Sequence, residues 1–524
     1  MKKIFSFFLK FEEKIFILAL ILFSLFINQY YGNRGVFPID SFSHFDTGFR
    51  ILLGEFPFKD FWVISGPFVD YLQAFFFYFF GVSWQSYILH ASLVNVLIVV
   101  ITFLVLRSFK LNIYLASIYS FSLAILAYPS SGTPFVDHHS TFLSLLGVYA
   151  LIIGIKNKSK VSWILLPIFL VFAFLSKQVP ASYVALSIII ILLFYTLINK
   201  EFYWIKYSFL STFFIISIIF IIGKVQGINF LSFLNQYIFY PQTLGNDRYE
   251  YLKLDFKNVL IDFKYIYLSV AILFYLNIKR IFTVKNYLKE NDFYFFLIII
   301  LLMISLIAHQ LLTRNQIYIF FLIPILLAFS HIYIIKFSKL NNIVVTLMIL
   351  LCLFSTYKYH YRFNHERKFH ELNNVDFSFG IKGDKIDKKF LGLVWITPEY
   401  KNNVNKEITL IKDTKLYLAK DNRTKMVITN YSFFSALLNQ KLFSPIRWFV
   451  ENGVSHPLKD NKYFNHYESF IINKIKDNKI KVIYTIKPVP TSYLQELLGD
   501  NCIKTLQVND ILNSHSVLNC DKLN

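Results

Sequence analysis

Four aspartates, a glutamate and a histidine fall within "DSFSHFDTGFRILLGEFPFKDFWVISGPFVDYLQ", residues 40–73, directly after the first long apolar run of the chain. In "DSFSHFDTGFRILLGE" the apolar positions Phe45, Phe49, Ile51, Leu52 and Leu53 cluster with helical spacing, so a helix lying along a membrane surface is expected. Its polar face then carries Asp40, His44 and Asp46 toward a cavity in the outer leaflet. A carboxylate held beside a low-dielectric cavity can accept the proton of a hydroxyl while that oxygen attacks an electrophilic carbon. Burial lifts its pKa from the ordinary ~3.9 toward that of a more useful base. Asp40 is the residue expected in that role, with Asp46 the competing base; the structural alternative for Asp40 is a helix N-cap. Asp60 and Asp70 read as solvated loop residues or as groups beside the site, and Asp60 is placed with Asp46 among the substrate contacts.

A second constellation lies in "SSGTPFVDHHSTF", where Asp137, His138 and His139 stand at the entrance to a helix. An Asp-His-His run can ligate zinc or another divalent metal, with His138 and His139 as the nitrogen donors, although adjacent ligands alone specify little. The alternative is a helix cap at Asp137 with two interfacial histidines. No other cofactor is implied.

The elements that must position these side chains follow from composition. Of 524 residues 56% are hydrophobic, 60 are Phe, and mean hydropathy is +0.50, which places the chain in a membrane. Crossing a hydrocarbon core takes about 20 mostly apolar residues per helix. Eleven such runs are present: 15–30, 85–106, 111–128, 138–155, 161–176, 180–198, 207–223, 262–278, 292–308, 317–335 and 343–357. No small-residue cleavage site follows the first, so it is expected to remain as a span. Lys and Arg concentrate in alternate segments, 17 in one set against 9 in a set more than twice as long. That bias puts the N-terminus in the cytoplasm and, with an odd number of spans, the C-terminal part outside. The net charge of +21 is spread over loops and the C-terminal region, so a nucleic-acid face is not indicated.

Hydrophobicity falls after "LLCLFSTYKYHYRFNHERKFHE". The expected division is a multi-span region, 1–357, and an extracytoplasmic α/β domain, 358–524. In the latter "KMVIT" and "KIKVIYTI" read as strands, "YESFIINKIKDN" and "SYLQELLG" as helices. Cys502 and Cys520 could form a disulfide in an oxidising compartment.

The order Asp40, Leu52-Leu53-Gly54, Pro57, Asp60, Gly66-Pro67 resembles the first outer loop of polytopic glycosyltransferases of the C-type fold. These use polyprenyl-phosphate sugars, and the likeness is greatest to the bacterial protein-mannosyltransferase-like and aminoarabinose-transferase-like branch. Ser41 stands where that family usually has Glu, and His44 where Tyr is common. The resemblance implies Asp40 as the catalytic carboxylate and Asp137 as its assisting acid, sometimes with a divalent metal. It further implies a phosphate leaving group, which needs cations at the membrane surface. Lys177 in "FLSKQVPASY", Arg248 in "TLGNDRYEY" and Arg314 in "HQLLTRNQIYIFFLIPILL" are the candidates. Arg can grip phosphate with two prongs and Lys with a compact charge, while simple snorkelling to headgroups is the structural alternative.

The expected activity is inverting transfer of a sugar from a polyprenyl-phosphate carrier to a hydroxyl on a glycan, lipid or protein, at the outer face of a bacterial inner membrane. The partners are then the lipid-linked donor, the acceptor and membrane lipids. The alternatives are a flippase for lipid-linked sugars, or an O-antigen polymerase or ligase. Transporters carry ionisable groups along their spans, whereas the acidic residues here gather at one side. Polymerases and ligases rely on late outer loops rather than an early Asp loop.

Overall fold

The computed structural model describes residues 11–127, 132–313, 319–338, 342–373, 375–520 and 522–523. The chain opens with α1 (Phe11–Gly32), followed by loop helices α2 (Pro38–Ser41), α3 (Phe45–Leu52) and α4 (Pro67–Phe80). Then come α5 (Trp84–Ser108), α6 (Ile113–Leu126), α7 (Val136–Asn157), α8 (Lys160–Ser176), α9 (Gln178–Asn199) and α10 (Tyr203–Val225). A loop bearing α11 (Phe230–Phe233) and α12 (Tyr240–Glu250) leads to α13 (Lys264–Thr283), α14 (Asn291–Thr313), α15 (Leu322–Phe337) and α16 (Asn342–His360).

Among the described residues, eight helices are long and apolar enough to cross a membrane, and α6, α8 and α15 are shorter apolar helices. Together they fall on the eleven runs read from the sequence, and the protein is a mainly helical, multi-pass membrane protein. Ser83, Asn112 and Ser159 cap α5, α6 and α8 by accepting a backbone N–H two or three residues on. The central post is α7, 94% buried over its apolar window, whereas α10 is 6% buried over its own and packs mainly on α8. Pro167 interrupts the hydrogen-bond ladder of α8, since proline has no N–H to give.

Past α16 the chain forms a two-stranded ribbon, β1 (Ile381–Lys382) with β2 (Val394–Trp395), and a four-stranded sheet. The sheet strands are β3 (Lys425–Ile428), β4 (Val482–Ile486), β5 (Ile503–Gln507) and β6 (Leu512–Val517), in the order β3-β4-β6-β5. Only the β3–β4 pair is parallel, and both of its strands are buried throughout, as strands covered on two faces must be. The helices are α17 (Val404–Lys420), α18 (Phe434–Leu438), α19 (Phe464–Asp477) and α20 (Thr491–Leu498). The two expected strands and two expected helices are β3, β4, α19 and α20. Cys502 and Cys520 are joined by a disulfide.

The first loop and this C-terminal region share cores. Phe42, Phe45 and Trp84 pack with Phe390, Trp395 and Phe433 in one cluster. Trp62 enters a second beside Tyr240, Ile428, Tyr467 and Ile471. The face of α3 expected to look into a cavity is therefore covered: Phe45 through Arg50 are all buried. The C-terminal region lies where the sequence pattern suggested open space.

Candidate active site

Asp40 is the third residue of α2, whose N-cap is Phe37, so it does not cap that helix. Its backbone N–H bonds Phe37 O at 3.0 Å and its carbonyl accepts from Ser43 Oγ at 3.2 Å, which fixes the main chain. The half-buried carboxylate itself makes no hydrogen bond or ion pair among the described residues. Burial, then the negative charges of Asp137 and Glu371, push its pKa up to about 7, with Lys177 opposing. A carboxylate so placed changes charge near neutrality and has a lone pair free for a proton.

Asp137 lies in the first turn of α7, behind Phe135 as N-cap, and likewise does not cap. Its Oδ1 receives Lys177 Nζ at 2.6 Å and His309 Nε2 at 2.9 Å. Lys177 sits in the extended break between α8 and α9, where its carbonyl accepts from Ser140 Oγ at 3.0 Å. His309 is in the last two turns of α14 and feels the charge of Arg248 on α12. Arg248 forms no ion pair among the described residues. Asp40, Asp137, Lys177 and Arg248, four of the expected residues, thus come into one electrostatic neighbourhood, and His309 joins them. The signal for His309 was a lone imidazole in the apolar run "LIAHQLL".

The other expected residues are placed elsewhere. Asp46 is buried against α18, accepting Ser435 Oγ at 2.9 Å and the Ala436 N–H at 3.3 Å; burial lifts its pKa. Asp60 closes its own turn by accepting the Phe56 N–H at 2.8 Å. Arg314 lies outside the described residues. His139 turns away from Asp137, holding Phe135 O through Nδ1 and His90 Nε2 through Nε2, each at 2.9 Å. His138 packs between the rings of Phe135 and Phe142. Successive residues on a helix point about 100° apart, so the Asp-His-His run does not converge on a point. Among the described residues no three His, Cys, Asp or Glu side chains are grouped to hold a metal ion.

Beside the cluster lies a cavity of about 1310 Å³, an apolar slot between α9 and α10 with α8 as its floor. Pro167, Leu170 and Phe174 line the floor, and Pro57, Pro67 and Tyr71 of the first loop close one end. Its lining reaches Leu175 and Ala181, on either side of the Lys177 break. The slot exists because α10 leans on α8 rather than on α9.

The bundle, the loop helices at one of its ends and the C-terminal α/β region laid over them form a fold shared with a solved membrane protein. Among solved structures the chain is similar to ArnT from Cupriavidus metallidurans, solved bound to undecaprenyl phosphate. Identity is 12%, TM-score is 0.50, and the match covers 95% of this chain and 97% of that one. The apo form of the same protein matches at 11% identity with a TM-score of 0.46, over 96% and 97% of the two chains. No family model matches the chain, and no curated protein matches it in sequence.

Proposed function

We propose that this protein is an inverting glycosyltransferase that moves a sugar from a polyprenyl-phosphate carrier to an acceptor hydroxyl at the outer face of a bacterial inner membrane. The observation that carries the reading is the unpaired, half-buried carboxylate of Asp40 beside the Asp137–Lys177–His309 cluster. The acceptor oxygen attacks the anomeric carbon and gives its proton to Asp40. The bond from that carbon to the phosphate oxygen breaks, and its electron pair leaves on the phosphate. Direct displacement inverts the sugar.

The developing phosphate charge calls for fixed cations. Lys177 is held at the site by Asp137, so a phosphate has to share its charge with that carboxylate. Arg248, exposed and without an ion pair among the described residues, supplies a cation not yet neutralised. The apolar slot is long enough along α10, roughly 27 Å at 1.5 Å per residue from Trp204 to Ile222, for an extended isoprenoid chain. Asp137 Oδ1 is taken by Lys177 and His309, and no step of the displacement passes through a metal ion. The neighbour's undecaprenyl phosphate supports a lipid-phosphate donor.

The test is a strain lacking the protein, complemented with native chain or Asp40→Asn, with surface glycans compared by mass spectrometry. Loss of one sugar in the null strain, restored by the native chain and not by Asp40→Asn, is expected. An unchanged glycan profile in the null strain would overturn the reading.

A further inference from the structure

Asp70, in the first turn of α4, is fully buried and accepts three side-chain hydrogen bonds. Its Oδ1 accepts Thr47 Oγ1 at 2.5 Å and His44 Nδ1 at 2.7 Å, and its Oδ2 accepts Nη2 of Arg447 from the C-terminal region. Burial and the neighbouring guanidinium hold the His44 pKa down, so the ring is neutral and donates through Nδ1–H. His44 is the N-cap of α3 and closes the turn from α2, whose Asp40 carbonyl is tied by Ser43. The His44 N–H also donates to Tyr87 Oη at 3.3 Å.

Gly66 shows how tightly these parts meet. A Cβ there would lie 2.5 Å from Val136, 2.8 Å from the His44 ring and 3.2 Å from Arg447 Nη1, and its φ of +74° already requires glycine. Val136 is the residue before Asp137. The α2–α3 turn, the start of α4, the start of α7 and the C-terminal region therefore touch at one point, with Arg447 supplying the contact from the last. Its guanidinium is itself buried, with Nε and Nη1 unpartnered, so Asp70 is what holds it.

We propose that Arg447 is a positioning residue for the Asp40 base: through Asp70 and His44 it fixes the α2–α3 turn against the start of α7, and so the placement of Asp40 relative to Asp137. The role of Asp40 as base rests on the reading above; the positioning does not. A C-terminal region that packed only for stability would have no need of a chain of contacts ending beside both carboxylates. The rate consequence is steep, because a misplacement of about 1 Å can cost about a hundredfold.

The experiment uses the full-length protein in detergent and in the complemented null strain, with Arg447→Met, Arg447→Lys and Thr47→Val. Reaction of Asp40 with a hydrophobic carbodiimide at pH 7, followed by peptide mass spectrometry, reports its environment without any substrate. Arg447→Met is expected to change that labelling rate and to cut the glycan signal by about ten- to a hundredfold. Arg447→Lys, which keeps the charge, should recover part of both, and undecaprenyl phosphate binding should be unaltered. Full glycan signal in Arg447→Met, or lost signal with native Asp40 labelling, overturns the proposal. If Arg447→Met does not fold, Thr47→Val decides: it leaves the ion pair but removes one donor to Asp70, and native labelling there overturns positioning. Altered labelling in a protein whose removal changes no glycan would sink the transferase reading and support the positioning.

Discussion

Asp40 and Asp70 sit in the same loop, at the head of one helix and in the first turn of another, and their surroundings are opposite. Asp70 is sealed from water and bonded to Thr47, His44 and Arg447. Asp40 is half open and bonded to nothing among the described residues. A buried carboxylate that accepts three hydrogen bonds holds parts together, because a proton taken there would cost it some of those bonds. One left without a partner beside other negative charge is costly to the fold, and the proposed role of Asp40 rests on that arrangement. The rest of the loop follows Asp70. Asp46 receives α18, and Glu55 bonds Arg50 Nε at 2.9 Å, with Lys474 Nζ at 3.8 Å, as Arg50 reaches Ser444 O. Of the loop's five carboxylates, Asp46, Glu55 and Asp70 are taken up by contacts with the C-terminal region, Asp60 closes its own turn, and Asp40 is the one proposed above as the base.

That contrast breaks most directly at Asp40. Asp40→Asn keeps size and shape but replaces one acceptor oxygen by an NH2 group and cannot take a proton, and transfer in isolated membranes is expected to fall about 10²–10⁴-fold. Thermal unfolding of the variant in detergent at pH 8 should come no lower than that of the native protein. The sign follows from the raised pKa: the folded state holds the proton more tightly than the unfolded chain, so ionisation of Asp40 costs stability as pH rises through about 7. A variant with unchanged transfer removes Asp40 from the chemistry.

Asp70→Ala inverts the pattern. It leaves Arg447 buried without its carboxylate, and breaking such a pair costs about 3–5 kcal/mol. The measure is the midpoint of unfolding in detergent, and a native midpoint would show the ion pair to be unimportant. Asp40 and Asp70 are thus expected to separate cleanly, one losing rate with stability intact, the other losing stability first.

Between those extremes lies pH. Burial, Asp137 and Glu371 all favour the neutral acid at Asp40, so the base form grows as pH rises through about 7. Transfer by the native protein should rise about tenfold from pH 6 to its plateau above pH 8. A profile flat across that range assigns the proton transfer elsewhere.

How much of this could be read from the sequence depended on the range of the interaction. Helices such as α5 and α14 are written in a single apolar run, and α19 and β4 in a local period, so they were legible. Asp40 was singled out because Gly54, Pro57 and Asp60 lie close by in the chain, and its role remains the proposal made above. Lys177 was read as a cation at the outer end of a span, but not as the partner of Asp137. The Asp70–Arg447 pair was not legible, since 377 residues separate its members and neither neighbourhood announces the other. Asp46 misled for the same reason: its polar face was read as open when Ser435 and Ala436 cover it. His139 misled by adjacency, since a run of ligand types on a helix fans out rather than converging.

The smallest expected effect sharpens the comparison among cations. Lys177 is committed to Asp137 at 2.6 Å, and removing it leaves a buried carboxylate with His309 alone, so its loss would report on the fold as much as on the donor. Arg248 has no such partner among the described residues, so Arg248→Gln breaks no ion pair there. An exposed charge beside a phosphate is worth about 0–1 kcal/mol and is screened by salt. The affinity for undecaprenyl phosphate in nanodiscs of neutral lipid should therefore weaken by up to about fivefold at low ionic strength, with the difference vanishing near 0.5 M salt, roughly where the Debye length falls below the span of a headgroup. An equal loss at all salt concentrations would mean that Arg248 is drawn into a desolvated contact once the phosphate arrives, and would move it from the rim of the site to its centre.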